Sequence, residues 1–251
     1  MSNLPAVSIK VHRPHSDSQG IVIWVHGGGW ITGGGANSQL MRSYFNKNGF
    51  CYASLNYPIN SAAGEVLIDK QIYYLNSINS WLHGVNDEDK CAPSSRNVTI
   101  IGHSAGAHLV SLADKMFGWG DSVRNIVLLD CSAYKLTDKA NELRPALRAL
   151  FFRVFGLSGE ALDGSWISTL NQYSPAEITS SIPPGRAIHL YSSEKDNSIR
   201  ASKLLMASYM PSANSIIQHT VWPFRHDDFH RLIGAHTDYS SSILDICADR
   251  D

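Results

Sequence analysis

Short apolar runs rich in β-branched residues alternate along the chain with longer stretches whose apolar positions repeat at helical spacing. The runs at 21–25 (IVIWV), 51–56 (CYASLN), 98–101 (VTII), 126–129 (IVLL), 187–191 (AIHLY) and 216–221 read as strands, with a weaker one at 7–12. Between them 39–48, 66–83, 105–117 and 198–209 read as helices, and 229–246 as a closing helix. Strands that are apolar throughout suit a mainly parallel sheet covered by helices on both faces, because neither face meets water. The expected fold class is therefore α/β, as one domain over residues 1–251. One stretch breaks the rhythm. Residues 134–173 hold helical pieces such as 143–155 but no convincing strand. About forty residues is too long for an ordinary connection, so a helical cap-like insertion over the strand ends is expected.

Composition narrows the classes of function. A chain of 251 residues with 43% apolar and 17% charged residues can bury a substantial core and is neither disordered nor a coiled coil. Lys+Arg 21 against Asp+Glu 22 leaves a net charge of −1. Such a balance argues against a surface built to neutralise nucleic-acid phosphates or anionic lipid, so neither partner is expected. The N-terminus lacks the basic start and apolar run of a signal peptide, and no stretch approaches the roughly 20 apolar residues of a membrane span. The four cysteines form no C-x-x-C pair and have no close histidine at metal-ligand spacing. Cys51 and Cys131, in or beside apolar runs, read as buried free thiols, and a reduced cytoplasmic location is expected.

The sharpest chemical signal is Gly102-His103-Ser104-Ala105-Gly106, directly after VTII and directly before a helix. This is G-x-S-x-G in the strand–turn–helix context that lifts a serine above a sheet edge, where the helix N-terminus favours developing negative charge. The bland alternative is a plain tight turn. A second signal, His26-Gly27-Gly28-Gly29-Trp30, follows IVIWV. Consecutive glycines allow a loop to turn its N–H groups toward a developing oxyanion without a Cβ in the way. Gly28, Gly29 and the N–H of Ala105 are the candidate oxyanion donors; Gly33-Gly34-Gly35 suits a plain flexible turn, and no Gly-Lys-Ser/Thr follows to make a phosphate loop.

A serine needs a base, and the base an orienting acid; on this arrangement the chain order is Ser, then Asp or Glu, then His. After AIHLY the loop Ser192-Ser193-Glu194-Lys195-Asp196-Asn197 offers Asp196 as the acid, with Glu194 as fallback. Asp130, after IVLL, is available but comes one strand early. His226 is the expected base, ahead of His230 and His236. His103, inside the elbow, is expected to pack beside the site, and Trp30, Tyr57 and Tyr134 are candidate walls of a substrate pocket.

HGGGW and GHSAGAHL resemble the α/β-hydrolase family of carboxylesterases, and most resemble its branch of kynurenine formamidases and small HGGxW esterases. Leu55-Asn56-Tyr57, Ser132-Ala133-Tyr134-Lys135-Leu136, Ser174-Pro175 and the tail from His226 to Gly234 add to the likeness, which runs over roughly residues 20–248. Asp228 and Lys135 depart from the formamidase pattern. The resemblance implies an α/β-hydrolase fold and a serine hydrolase acting on a small carboxylic ester or N-acyl (N-formyl) amide through an acyl-enzyme, without metal or organic cofactor. The same triad would also serve a thioesterase, acyltransferase or cyclase, and a non-catalytic binding protein on this scaffold is the rival of another class. A small molecule is the expected partner, and a homodimer is admitted because dimers are common for such chains.

Overall fold

The computed structural model describes residues 9–34, 39–59, 67–84, 91, 97–157 and 164–248. Its strands are β1 (Ile9–His12), β2 (Ile21–Val25), β3 (Cys51–Leu55), β4 (Val98–His103), β5 (Val123–Leu129), β6 (Ser180–Ser181), β7 (Ala187–Ser193), β8 (Tyr209–Met210) and β9 (Ile216–Trp222). Its helices are α1 (Gln39–Lys47), α2 (Ile68–Gly84), α3 (Ala105–Phe117), α4 (Leu136–Glu142), α5 (Pro145–Val154), α6 (Ser165–Gln172), α7 (Asp196–Ala207), α8 (Asp228–Arg231) and α9 (Thr237–Cys247). Seven strands form one sheet in the order β1-β3-β2-β4-β5-β7-β9, all parallel except β1, which runs antiparallel to β3.

Period-2 alternation sorts the strand side chains onto two cores. Ile21, Ile23 and Val25 of β2 face one layer with residues of α2, α3 and α7, while Val22 and Trp24 face Met41 and Phe45 of α1 and Tyr239 and Ile243 of α9. Both layers are buried, so the strands read as continuous apolar runs. The chain leaves β2 toward β3 and later returns to β4 on β2's other side. That reversal opens a crevice at the strand C-termini where β2 and β4 diverge, the place at which open α/β sheets bind ligands. HGGGW leaves β2 there and GHSAG leaves β4.

Several expected boundaries differ. β5 begins at Val123 rather than 126, because the polar Asn125 is accommodated in the buried strand by donating to the Ile246 carbonyl at 2.9 Å. α7 begins at Asp196 rather than 198. The closing helix is broken into α8 and α9, with Gly234 between them at φ +89°. A Cβ on Gly234 would lie 2.9 Å from Cβ of Tyr44, so this position accepts glycine alone without rearrangement. The stretch expected as an insertion holds α4, α5 and α6 in its described part, and the aromatic residues Phe151 and Phe155 pack on Trp30 with ring centroids 5.7 and 5.6 Å away.

The expectation of a free thiol at Cys51 is corrected: Cys51 is joined to Cys91 in a disulfide. A buried thiol and a buried half-cystine leave the same apolar signature, and 40 residues separate the two partners in sequence. Cys131 and Cys247 are free and buried. Disulfides persist in oxidising surroundings, so cysteine usage no longer argues for a reduced cytoplasm. Among the described residues, no helix is long and apolar enough to cross a membrane.

Candidate active site

Ser104 stands between β4 and α3 with φ 54° and ψ −121°, a backbone conformation that costs a non-glycine residue on the order of 1–3 kcal/mol. The turn is held by the Ser104 N–H donating to the Leu129 carbonyl at 2.9 Å and by the His108 N–H donating to the Ser104 carbonyl at 3.1 Å. Both flanking glycines are required by packing. A Cβ on Gly106 would sit 2.3 Å from the Val25 carbonyl oxygen, and one on Gly102 would sit 2.7 Å from that of Gly106. The turn is thus wedged against the end of β2.

The Ser104 hydroxyl donates to Nε2 of His226 at 2.9 Å, and Nδ1–H of His226 donates to Asp130 Oδ2 at 2.7 Å. The carboxylate that meets His226 is therefore Asp130, and not the expected Asp196. β5 is the immediate neighbour of β4, with Leu129 opposite His103, so the first residue past β5 lies beside the serine. Asp196 and Glu194 are exposed, and Asp196 falls in the first turn of α7. Asp130 is 1% exposed, and its other oxygen accepts the N–H and hydroxyl of Ser193 at 2.8 and 2.9 Å. Burial by itself would push this carboxyl up; the hydrogen bonds from His226 and Ser193 outweigh it and hold the group down at about 2. The carboxylate is therefore ionised at neutral pH.

His103 packs beside His226. Its ring is 4.7 Å from that of His226 and 4.8 Å from that of His230, and its Nε2–H donates to the His226 carbonyl at 2.9 Å. Burial, reinforced by the neighbouring imidazoles, pushes it down to about 3, so it stays a neutral donor that fixes the backbone of the base. His230, the second-choice base, lies on α8 against Trp24, and among the described residues it makes no hydrogen bond to Ser104.

The glycine loop follows the same logic. Gly28 has φ +118°, where a Cβ would meet the Thr32 carbonyl oxygen at 2.0 Å, and Gly29 has φ +59°. The Gly28 carbonyl accepts from the N–H groups of Ile31 and Thr32, and among the described residues the N–H groups of Gly28 and Gly29 have no acceptor. Both glycines border the space at Ser104, as does Ala105. Trp30 is buried, its Nε1–H donating to His108 Nδ1 at 3.2 Å and its carbonyl accepting from Gln71 at 2.7 Å. His108 in turn donates from Nε2 to the Tyr173 carbonyl at 2.8 Å, and burial pushes it down to about 4.

Of the four candidate pocket residues, Trp30 and His103 border the cavities at Ser104. Tyr57 and Tyr134 do not. Tyr57 stacks on His26 at 4.2 Å and donates its hydroxyl to the His26 carbonyl at 3.0 Å, bracing the glycine loop from behind. Tyr134 is 1% exposed in the core. The sequence ranks Asp130 behind Asp196 and gives no sign of the parts played by Ser193 and His108. Among the described residues, no group of three His, Cys, Asp or Glu side chains is placed to hold a metal ion.

The family model described as BD-FAE matches residues 8–125, a span that includes HGGGW and GHSAG but neither Asp130 nor His226. No curated protein matches the sequence. Among solved structures, esterase B from Lactobacillus rhamnosis is similar at TM-score 0.68 and 16% identity, over 94% of this chain and 79% of that one. An esterase from Pyrobaculum calidifontis is similar at TM-score 0.67 and 16% identity, over 97% and 81%. Brefeldin A esterase, a bacterial homologue of human hormone sensitive lipase, is similar at TM-score 0.60 and 14% identity, over 97% and 72%. With its mostly parallel sheet, the order of its strands and these likenesses, the chain has the α/β-hydrolase fold.

Proposed function

We propose that the protein is a serine hydrolase that cleaves a small carboxylic ester, or an N-acyl or N-formyl amide, through an acyl-enzyme. One observation carries this reading: the unbroken hydrogen-bond chain from Asp130 through His226 to Ser104, beside the N–H groups of Gly28, Gly29 and Ala105. His226 accepts the Ser104 proton as Oγ attacks the carbonyl carbon, and Asp130 holds the imidazole in the tautomer that can accept it. The tetrahedral oxyanion is received by the three N–H groups, each worth about 3–4 kcal/mol of transition-state stabilisation in comparable sites. His226 then protonates the leaving alcohol or amine. Water, deprotonated by the same imidazole, attacks the acyl-enzyme and frees the acid. The match to the BD-FAE model and the likeness to structures that are esterases support the ester over the amide.

The test is labelling with a serine-directed fluorophosphonate together with kcat/KM on a short-chain p-nitrophenyl ester and on N-formylkynurenine. Stoichiometric label on Ser104 and ester turnover that vanishes in Ser104→Ala is the expected result. A large preference for the formyl amide would move the assignment to an arylformamidase. No label and no turnover would leave a binding protein on a hydrolase scaffold.

A further inference from the structure

Ser104 and His226 divide the space above the strand ends into two cavities of about 370 and 320 Å³. In the larger, beside α8, the charged side chains Asp227 and Arg231 approach each other to 4.0 Å and offset one another. The smaller lies between α4 and the start of α7, and its charges do not cancel. Asp130 borders it, but both oxygens of that carboxylate are taken by His226 and Ser193. Lys139 of α4 and Lys195, just before α7, both border it, as do Ser132, Asn197 and Ser198.

Lys139 is half-buried and spends one N–H on the Ser132 hydroxyl at 3.0 Å. It is also ion-paired with Glu142 at 3.8 Å, too long for a hydrogen bond, and that carboxylate is shared with Arg200 at 2.7 Å and Asn197 at 3.3 Å. Lys195 has no ion-pair partner among the described residues; Asp196 beside it is exposed and does not border the cavity. An ammonium offers three donors, so both lysines keep capacity for an anion entering this space.

Resting on the hydrolase reading above, we propose that the part of the substrate entering the α4–α7 cavity carries an anionic group, a carboxylate or its phosphate equivalent, a few atoms from the scissile carbonyl. Lys139 and Lys195 then set specificity for that group. The cavity is small, which limits the group to a short chain or a single ring.

Two matched substrate pairs test this on either side of the scissile bond: p-nitrophenyl hemiglutarate against p-nitrophenyl pentanoate, and 4-carboxyphenyl butyrate against 4-carbamoylphenyl butyrate. In one pair kcat/KM is expected to favour the anion by about tenfold, and the advantage to shrink with added salt. Lys139→Met or Lys195→Met should remove most of that ratio, and Lys139→Arg should keep it. Ratios at or below one in both pairs, or ratios unmoved by the methionine variants, overturn the proposal and leave the serine hydrolase standing. If the esters turn over too slowly, the rates at which a carboxylate-bearing and a neutral phosphonate label Ser104 give the same ratio. Absence of any label overturns both readings.

Discussion

Ser193 directs both of its polar hydrogens, N–H at 2.8 Å and O–H at 2.9 Å, at the same oxygen of Asp130, leaving the other oxygen to His226. Because Ser193 ends β7 and Asp130 follows β5, the pairing of two strands aims the carboxylate. Ser193→Ala removes one of the two donors and should lower kcat several-fold with little change in KM, since a bond to a charged acceptor contributes about 1.5–3 kcal/mol. A KM effect of the same size as the kcat effect would show that Ser193 touches substrate instead.

The identity of the acid separates sharply by mutation. Asp130→Asn is expected to lower kcat for ester hydrolysis by roughly 10⁴, because an amide at this position favours the wrong imidazole tautomer. Asp196→Asn should leave kcat within about twofold. Equal losses in both variants would contradict the assignment.

Acid unfolding follows from the low value of Asp130. The folded-state carboxyl lies at about 2, below the ordinary value of about 3.9. Its ionised form therefore contributes stability that is complete above pH about 4 to 5 and disappears as pH falls toward 2, on the order of 2 kcal/mol. Urea unfolding at pH 6 and pH 3 should show a smaller difference for Asp130→Asn than for the wild type. An identical difference would mean that the carboxylate is not held as described.

At Gly106 a methyl group meets backbone and not a movable side chain. Gly106→Ala should lose several kcal/mol of stability or fail to fold, whereas Gly118→Ala, where a Cβ meets nothing within 4 Å, is strained only by φ 68° and should lose about 1 kcal/mol. Thermal unfolding of the two variants side by side checks the contrast.

Removing the cross-link between Cys51 and Cys91 frees a loop of about 40 residues in the unfolded chain. The chain-entropy relation places the loss near 4 kcal/mol. Cys51→Ala and Cys91→Ala should each show it, and wild-type protein should show it under reducing conditions. Unfolding that is indifferent to reductant would argue that the bridge is not formed.

Most of the sheet was legible because its strands are buried on both faces, and a run such as IVIWV has no other comfortable home. Ser104 and His226 were legible too: one sits in a motif whose glycines are dictated by contact with β2, the other is the first histidine past the last strand. Asp130 was harder. The order Ser, Asp, His fixes sequence but not which strand end bears the acid, and that depends on β5 lying next to β4. The clue present in the sequence was an aspartate directly after the apolar run IVLL, where an ionised group must have partners. The break between α8 and α9 was hidden because Gly234 falls within an otherwise helical pattern, and the Cys51–Cys91 link because pairing is a property of the folded chain.

With His226 paired to Asp130, which follows β5, residues 194–197 take no part in the hydrogen-bond chain to Ser104. Their side chains can be exchanged without disturbing that chain, yet Lys195 and Asn197 border a cavity that Ser104 also borders. Mutational drift in these four positions would retune which molecules are accepted while the reaction itself is inherited intact, so this short bend is where relatives of the protein should diverge in diet before they diverge in chemistry.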